Sequence, residues 1–383
     1  MIVKDEVDVV KRCFDSCREL IDHWVICDTG STDGTQDLIR RELAGIPGKL
    51  YEHTWVDFGH NRSALMKLAR GRGEYLLLLD ADWTVEAAPG ALDGLTADSY
   101  LIRHSGAVEF HNKRLVSGRL DWRYVGSTHE YIVSDAERTS ERLEGMAIHV
   151  WSVGGSRTGR WQRDAELLEA ELERDPTNAR AVFYLAQTYR DIGNERNDHA
   201  KLGLALGHYQ RRAEMEGWQE ETYIARYQVG VLSAQLGDWP RAVDAFLMAW
   251  EQRPGRLEAV HDLAVGLRER GLYRAAHQFT RLASRLRPLP VPDDVLFVAP
   301  WIYEWGMLFE YSITAYWCGE WGASILACKR LLATHSLPES HRRQTHVNLR
   351  HALRERVRQA AEQPPAPPRR LPHAGTPTRG RPA

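Results

Sequence analysis

Apolar positions along the first 85 residues come as short runs, separated by stretches in which they recur at helical spacing. Ile2-Val3, Trp24-Val25-Ile26-Cys27, the segment 49–54 and Tyr75-Leu76-Leu77-Leu78-Leu79 read as strands. Between them, residues 8–21 place Val9, Val10, Cys13, Cys17 and Leu20 along one helical stripe, and further helices are expected over 37–43 and 63–69. Strand and helix alternate four times, which predicts a doubly wound, mostly parallel α/β sheet. The run ending at Leu79 is continuous enough to be a buried strand of that sheet. Further on, the pattern predicts strands at 100–103, 108–110, 114–116 and 147–150.

After Arg160 the strand pattern stops, and residues 164–174 read as a helix ending before Asp175-Pro176. Gly237-Asp238-Trp239 and Gly271-Leu272-Tyr273, Ala242 and Ala276, and Pro254 and Pro288 each lie 34 residues apart. That is the tetratricopeptide period, in which a small residue lets two helices pack closely and a proline closes the second. Phe183 to Tyr189 with Gly193 suggests an earlier unit longer by about ten residues, and Ala315 to Trp321 a later one displaced by the proline-rich 288–300, giving about four units. Trp301, Trp305, Trp317 and Trp321 cluster near the last unit, where packing between helices is the expected role. The organisation expected is an α/β domain over 1–160, an all-α repeat domain over 161–352 and a proline- and arginine-rich, disordered tail over 353–383.

Composition narrows the partners. The 383 residues carry a net charge of −2, so no global field draws the chain to nucleic acid or an anionic membrane. No apolar segment reaches the roughly 18 residues of a bilayer span, and the amino terminus has no signal-peptide character, which makes the cytosol the expected compartment. The five cysteines are expected as free thiols, since Cys13 and Cys17 lack a second pair to complete a zinc site.

The acidic residues fall where an open α/β sheet binds ligands, at the carboxyl ends of its strands. Asp80 and Asp82 follow the leucine run and can reach a hard divalent cation and diphosphate oxygens together, or else cap a turn. Asp28 ends the second strand, placed to accept hydrogen bonds from a nucleobase or ribose, with Ser31 to Asp33 capping the next helix. Neither G-x-G-x-x-G nor G-x-x-x-x-G-K-[ST] is present, so dinucleotide-fold and P-loop readings lose support.

Four ordered blocks, Met1-Ile-Val-Lys-Asp-Glu6, Cys27-Asp-Thr-Gly-Ser-Thr-Asp-Gly-Thr35, Asp57-Phe58 with Arg62, and Leu79-Asp-Ala-Asp82, resemble the family-2-type inverting glycosyltransferases of the GT-A fold. The resemblance covers about the first 90 residues. It implies that Asp28 holds the base of a nucleotide sugar, that Glu6 and Arg62 belong to the donor site, and that Asp80 and Asp82 engage ribose and a Mn2+ or Mg2+ ion on the diphosphate. The family has more strand residues ahead of Met1, so either the first strand is short or the true start lies upstream.

An inverting transfer also needs a general base beside the acceptor. In Gly126-Ser-Thr-His-Glu130, Glu130 is the first candidate and Asp121 the second. His149 could complete the metal site, and Arg157, Arg160 and Arg163 could close over the diphosphate. An α/β domain followed by tetratricopeptide-like helices is similar to bacterial peptide and protein glycosyltransferases, including bacteriocin S-glycosyltransferases. That likeness proposes an acceptor class only, a hydroxyl or thiol on a peptide, protein or glycan; the donor expected for the whole is a UDP-hexose, and a homodimer is left open. Two rivals stay open: a sugar-phosphate nucleotidyltransferase, although its glycine- and arginine-rich loop is missing after the first strand, and a repeat adaptor whose first domain has lost activity.

Overall fold

The computed structural model describes residues 1–151, 159–285 and 289–362. The first half alternates as its apolar pattern predicts: β1 (Ile2–Val3), α1 (Val10–Cys17), β2 (Trp24–Asp28), α2 (Thr35–Glu42), β3 (Gly48–Glu52), α3 (Phe58–Ala69) and β4 (Tyr75–Leu77). Strands β1, β2 and β3 form a parallel sheet, with Val3 opposite Asp28 and Asp28 opposite Glu52. Val10, Phe14, Ile26, Leu38 and Ile39 fill the space between that sheet and its helices. Ala81 joins the same core, so the segment between Asp80 and Asp82 is anchored against the first sheet.

The second sheet departs from the expectation of one mostly parallel sheet. The leucine run is strand for three residues only, and β4 pairs antiparallel with β7 (Phe110–Ser117). With β5 (Trp83–Ala87), β6 (Ser99–Ser105) and β10 (Ser140–Val150) it makes a five-stranded sheet of order β4-β7-β6-β10-β5, in which only the β6–β10 pair is parallel. Short strands β8 (Arg123–Val125) and β9 (Tyr131–Val133) pair beside it. Strand β5 is absent from the expected elements because Asp80-Ala-Asp82 reads as a strand end, whereas the chain turns there and re-enters the sheet.

The carboxyl half is helical: α4 (Arg160–Arg174), α5 (Ala179–Arg196), α6 (His199–Glu214), α7 (Gln219–Gln235), α8 (Trp239–Gln252), α9 (Glu258–Glu269), α10 (Tyr273–Thr280), α11 (Leu282–Arg285), α12 (Met307–Trp317), α13 (Trp321–Leu332) and α14 (Glu339–Glu362). Four hairpins, α5–α6, α7–α8, α9–α10 and α12–α13, turn at Asn197, Gly237, Gly271 and Gly319, all with positive φ. Gly237 and Gly271 keep the 34-residue spacing, whereas Asn197 lies 40 residues before Gly237. Gly193 is not the turn of the first unit. It sits inside α5, where a Cβ would come within 2.6 Å of Leu202 on α6; Gly230 of α7 meets Phe246 of α8 in the same way, whereas Gly266 of α9 approaches Trp239 of the preceding α8.

That close approach sets a first prediction. A Cβ on Gly230 would lie 2.5 Å from the Phe246 ring. Gly230→Ala is expected to cost about 1–3 kcal/mol by overpacking, seen as a lower denaturant midpoint at unchanged slope. A midpoint equal to wild type would mean the helix pair has room to spare.

Among the described residues the repeats touch the α/β half at two places. Segment 289–300, the proline-rich insertion, runs antiparallel to the start of β7, with Glu109 N and Val298 N each donating to the other's carbonyl at 2.6 and 2.8 Å. Buried Arg256 secures it from behind, donating to Leu296 O and Phe297 O while pairing with Glu258 and Asp294. The second contact, through α4 and α5, belongs to the site. Of the clustered tryptophans, Trp305 is buried as expected, whereas Trp317 is 56% exposed and stacks on Tyr273. All five cysteines are free thiols, and no helix among the described residues is long and apolar enough to cross a membrane.

Candidate active site

Asp28 ends β2 with its side chain 1% exposed. Its Oδ1 accepts from Gly30 N and Ser31 N, both at 2.9 Å, and from Gln36 Nε2 at 3.0 Å. Burial opposes the charge, but these donors outweigh it and hold the carboxyl below the usual range. The other oxygen, Oδ2, is buried without a hydrogen-bond partner. A desolvated carboxylate oxygen costs free energy unless something donates to it, so this atom is a ready acceptor for a ligand N–H or O–H.

The loops around Asp28 are tied together. Asp5, at φ +53, accepts from Thr32 N, Ser31 Oγ accepts from Asp5 N, and Asp33 accepts from Val7 N. Ser31 to Asp33 thus lace the β1–α1 loop to the β2–α2 loop instead of simply capping α2, whose N-cap is Gly34 with no side-chain bond. Glu6 stands in this lacing: its N donates to Thr35 Oγ1 at 2.8 Å and its carbonyl accepts from Val9 N and Val10 N to open α1.

Arg62 links the second group. Asp57 caps α3 by accepting from His60 N, and Arg62, a turn further on, is buried. Its Nη2 donates to Asp80 Oδ1 at 2.6 Å, and its Nε stands 2.7 Å from Glu130 Oε1. The two carboxylates are pushed apart in acidity. Burial would raise Asp80, but Arg62 and then Arg114 overcome it and keep this acid below its ordinary range. At Glu130 burial wins over Arg62, and the pKa is raised. Such a split between neighbouring acids is how one site keeps a permanent anion beside a proton acceptor.

The loop bearing Glu130 is held by the repeat helices. Ser127 Oγ donates to Glu171 Oε2 at 2.8 Å and Thr128 Oγ1 to Asp164 Oδ1 at 3.2 Å, both acids on α4. Arg180 of α5 donates through Nε and Nη2 to the carbonyl of His129, whose ring stacks on Tyr184 at 4.3 Å. His129 has φ +49, a strained conformation for a residue with a side chain. Burial, with Arg160 and Arg180 nearby, brings its pKa down to about 3, so the ring is neutral. On the other side Gly59 touches Gly126 O so closely that no Cβ would fit.

The predicted residues do not all meet. Asp80, Arg62 and Glu130 form one connected group, Asp28 and Glu6 lie in the adjoining loops, and half-buried Asp82 follows Ala81, its carbonyl accepting from Trp151 N at 3.3 Å. Asp121 is elsewhere: it is largely exposed, 3.8 Å from Arg70 beyond the far end of α3. His149 is also turned to other partners, with Nδ1 2.7 Å from Ser105 Oγ and Nε2 3.0 Å from Glu86 Oε2. Among the described residues no three His, Cys, Asp or Glu side chains are gathered as metal ligands, so a cage of Asp80, Asp82 and His149 is not assembled. What the chain offers suits a hard cation held by one or two carboxylates, with the other ligands coming from phosphates and water. Arg160 opens α4 and lies 3.5 Å from Asp164; Arg163 faces the Phe58 ring; Arg157 lies outside the described residues. A cavity of about 380 Å³ lined by Asp57, His60, Tyr124, Glu171 and Arg174 includes neither Asp28, Asp80 nor Asp82.

Residues 1–92 match the model described as "Glycosyl transferase family 2". A TPR repeat-containing protein of Synechococcus elongatus is 25% identical over 296 residues, which cover 72% of this chain and 70% of that one. Among solved structures, the carboxyl-terminal part of a TPR repeat-containing protein from Cytophaga hutchinsonii aligns at 11% identity and a TM-score of 0.41, covering 54% of this chain and 70% of that chain. MamA aligns at 15% identity and a TM-score of 0.34, covering 55% and 91%.

Proposed function

Because residues 1–92 are a glycosyl transferase family 2 domain, carried ahead of tetratricopeptide-like repeats, we propose that the protein is an inverting glycosyltransferase that moves a hexose from a UDP-sugar to a hydroxyl or thiol, the acceptor being part of a peptide or protein. The observation that carries the donor assignment is Asp28: a buried carboxylate with one oxygen fixed by its own loop and the other awaiting a donor. A uracil N–H or a ribose hydroxyl supplies that hydrogen bond. In this reading Asp80 and Asp82 meet the ribose and diphosphate side of the donor, and they are the residues that would hold Mn2+ or Mg2+. Bound there, the cation supplies positive charge to the departing diphosphate.

Glu130 takes the proton of the acceptor as its oxygen or sulfur attacks C1 and the C1–O bond to the diphosphate breaks. Its raised pKa suits that task, and Arg62 keeps it oriented while satisfying Asp80. The anchoring of the Glu130 loop by α4 and α5 supports an acceptor delivered along the repeat array.

The test is release of UDP when the protein is incubated with UDP-hexoses and Mn2+. Release is expected above the enzyme-free rate, and Asp28→Asn is expected to weaken donor affinity by about 10–100-fold, the worth of a charge-assisted hydrogen bond. No release from any nucleotide sugar would favour the adaptor, and exchange of labelled pyrophosphate into the nucleotide sugar would favour the nucleotidyltransferase.

A further inference from the structure

Arg114 lies outside the matched residues and outside the site predicted from sequence, yet it stands against the acidic turn. Strand β7 pairs with β6 through Leu115 opposite Tyr100 and then Lys113 opposite Leu101, so Arg114 is the extra residue of a β-bulge. Bulges re-aim a side chain and are frequent beside active sites. The Arg114 carbonyl accepts from Leu78 N at 2.8 Å, two residues before Asp80. Its guanidinium lies over the face of Trp83, the residue after Asp82, at 4.5 Å from the ring centroid. The bulge residue is therefore fixed to both ends of the Asp80–Asp82 turn.

The aim of this cation is set by His104. Its Nε2 accepts from Arg114 Nε at 3.4 Å, and its ring stacks on Phe110 and meets Trp83 edge-on. Burial keeps the imidazole neutral, with its pKa down at about 3, so it serves as an acceptor and not as a competing charge. Neighbouring cations are already paired: Arg62 with Asp80 and Glu130, Lys113 with Glu137. Among the described residues no carboxylate lies within 4.0 Å of the Arg114 guanidinium.

We propose that Arg114 binds the diphosphate of the donor, giving hydrogen bonds to the β-phosphate oxygens that take up the electron pair when the C1–O bond breaks. This rests on the donor-site reading above. A guanidinium held flat on an aromatic face, with one edge taken by a neutral histidine, presents its remaining N–H groups as a fork that matches phosphate oxygens. In the step, the bond from C1 to the diphosphate oxygen breaks, a bond from C1 to the acceptor or to water forms, and the acceptor's proton leaves to Glu130. Arg114 gives and takes no proton.

The test compares the affinities of UDP and uridine, by calorimetry with Mg2+, in wild type and Arg114→Gln. UDP binding is expected to weaken by about 10–100-fold and uridine binding to stay unchanged, with UDP-sugar hydrolysis slower by about 10²–10³-fold. Should the glutamine variant not fold, Arg114→Lys serves: lysine lacks the planar fork, so at least about threefold weaker UDP binding with unchanged uridine binding is expected. Wild-type UDP affinity in both variants overturns the role of Arg114 and leaves the donor site standing. A wild-type protein that binds no UDP is a different result, and overturns both.

Discussion

Glu130→Gln is expected to slow sugar transfer by about 10²–10⁴-fold, the usual contribution of a positioned proton acceptor, while UDP affinity stays within about threefold of wild type. Glutamine keeps the volume and leaves an oxygen for Arg62, so the loss reports proton transfer and not collapse of the site. The pH dependence gives a second reading. Glu130 acts only when ionised, and burial raises its pKa above the ordinary glutamate value. The acid limb of the transfer rate therefore lies at higher pH than for a solvent-exposed glutamate, with activity lost as pH falls through it. Glu130→Gln should have a flat profile over the same range. A variant that transfers at the wild-type rate, or keeps the acid limb, would remove Glu130 from the mechanism.

Arg62→Met is expected to destabilise the protein by about 3–5 kcal/mol at pH 7, because it removes the one cation paired directly with two carboxylates largely shielded from water, leaving them only the more distant Arg114. The side chains of Arg62 and Glu130 are each 10% exposed and that of Asp80 25%, so solvent screening recovers only part of the loss. The sign with pH follows from each acid. Asp80 has a depressed folded pKa, so its contribution to stability is present above the unfolded pKa and lost as pH falls through the folded one. Glu130 has a raised folded pKa, so protonation relieves its burial at low pH. The gap between wild type and Arg62→Met should therefore narrow steadily as pH drops through the carboxylate range. Denaturant unfolding at several pH values measures it; a gap that stays constant, or one below about 1 kcal/mol at pH 7, would mean that Arg62 is not the clasp between the two acids.

How far the sequence led can be judged residue by residue. Arg62 was legible only through the family resemblance, since the pattern starts that helix at 63 and the structure starts it at Phe58. Asp28 was legible at the end of β2 within continuous strand–helix alternation, and Asp80 through the apolar run before it, because local pattern fixes position there. The repeats were legible for the same reason: Gly237 and Gly271 mark two turns in phase. The mixed second sheet was not, because strands of three residues such as β8 and β9 carry too little periodicity, and a bulge like that at Arg114 shifts the alternation within β7. His149 failed on the same ground. Its place at a strand end was foreseen, but its partners, Ser105 and Glu86, come from the strands on either side of β10.

The clamp on the Glu130 loop was beyond reach for another reason. Ser127 meets Glu171 and Arg180 meets His129 across 44 and 51 residues, and nothing local to either segment announces the pairing. Polar residues on an amphipathic helix look like a solvated face until the partner loop is laid on them. The parallel first sheet and its helices could be anticipated, whereas the dependence of the Glu130 loop on α4 and α5 could not.

A crystal soaked with UDP and Mn2+ tests the donor site most directly. The account predicts the uracil or ribose hydrogen-bonded to Asp28 Oδ2, with the diphosphate between Asp82 and Arg114. UDP seated in the cavity between Asp57 and Glu171, with Asp28 Oδ2 still unpaired, would contradict it.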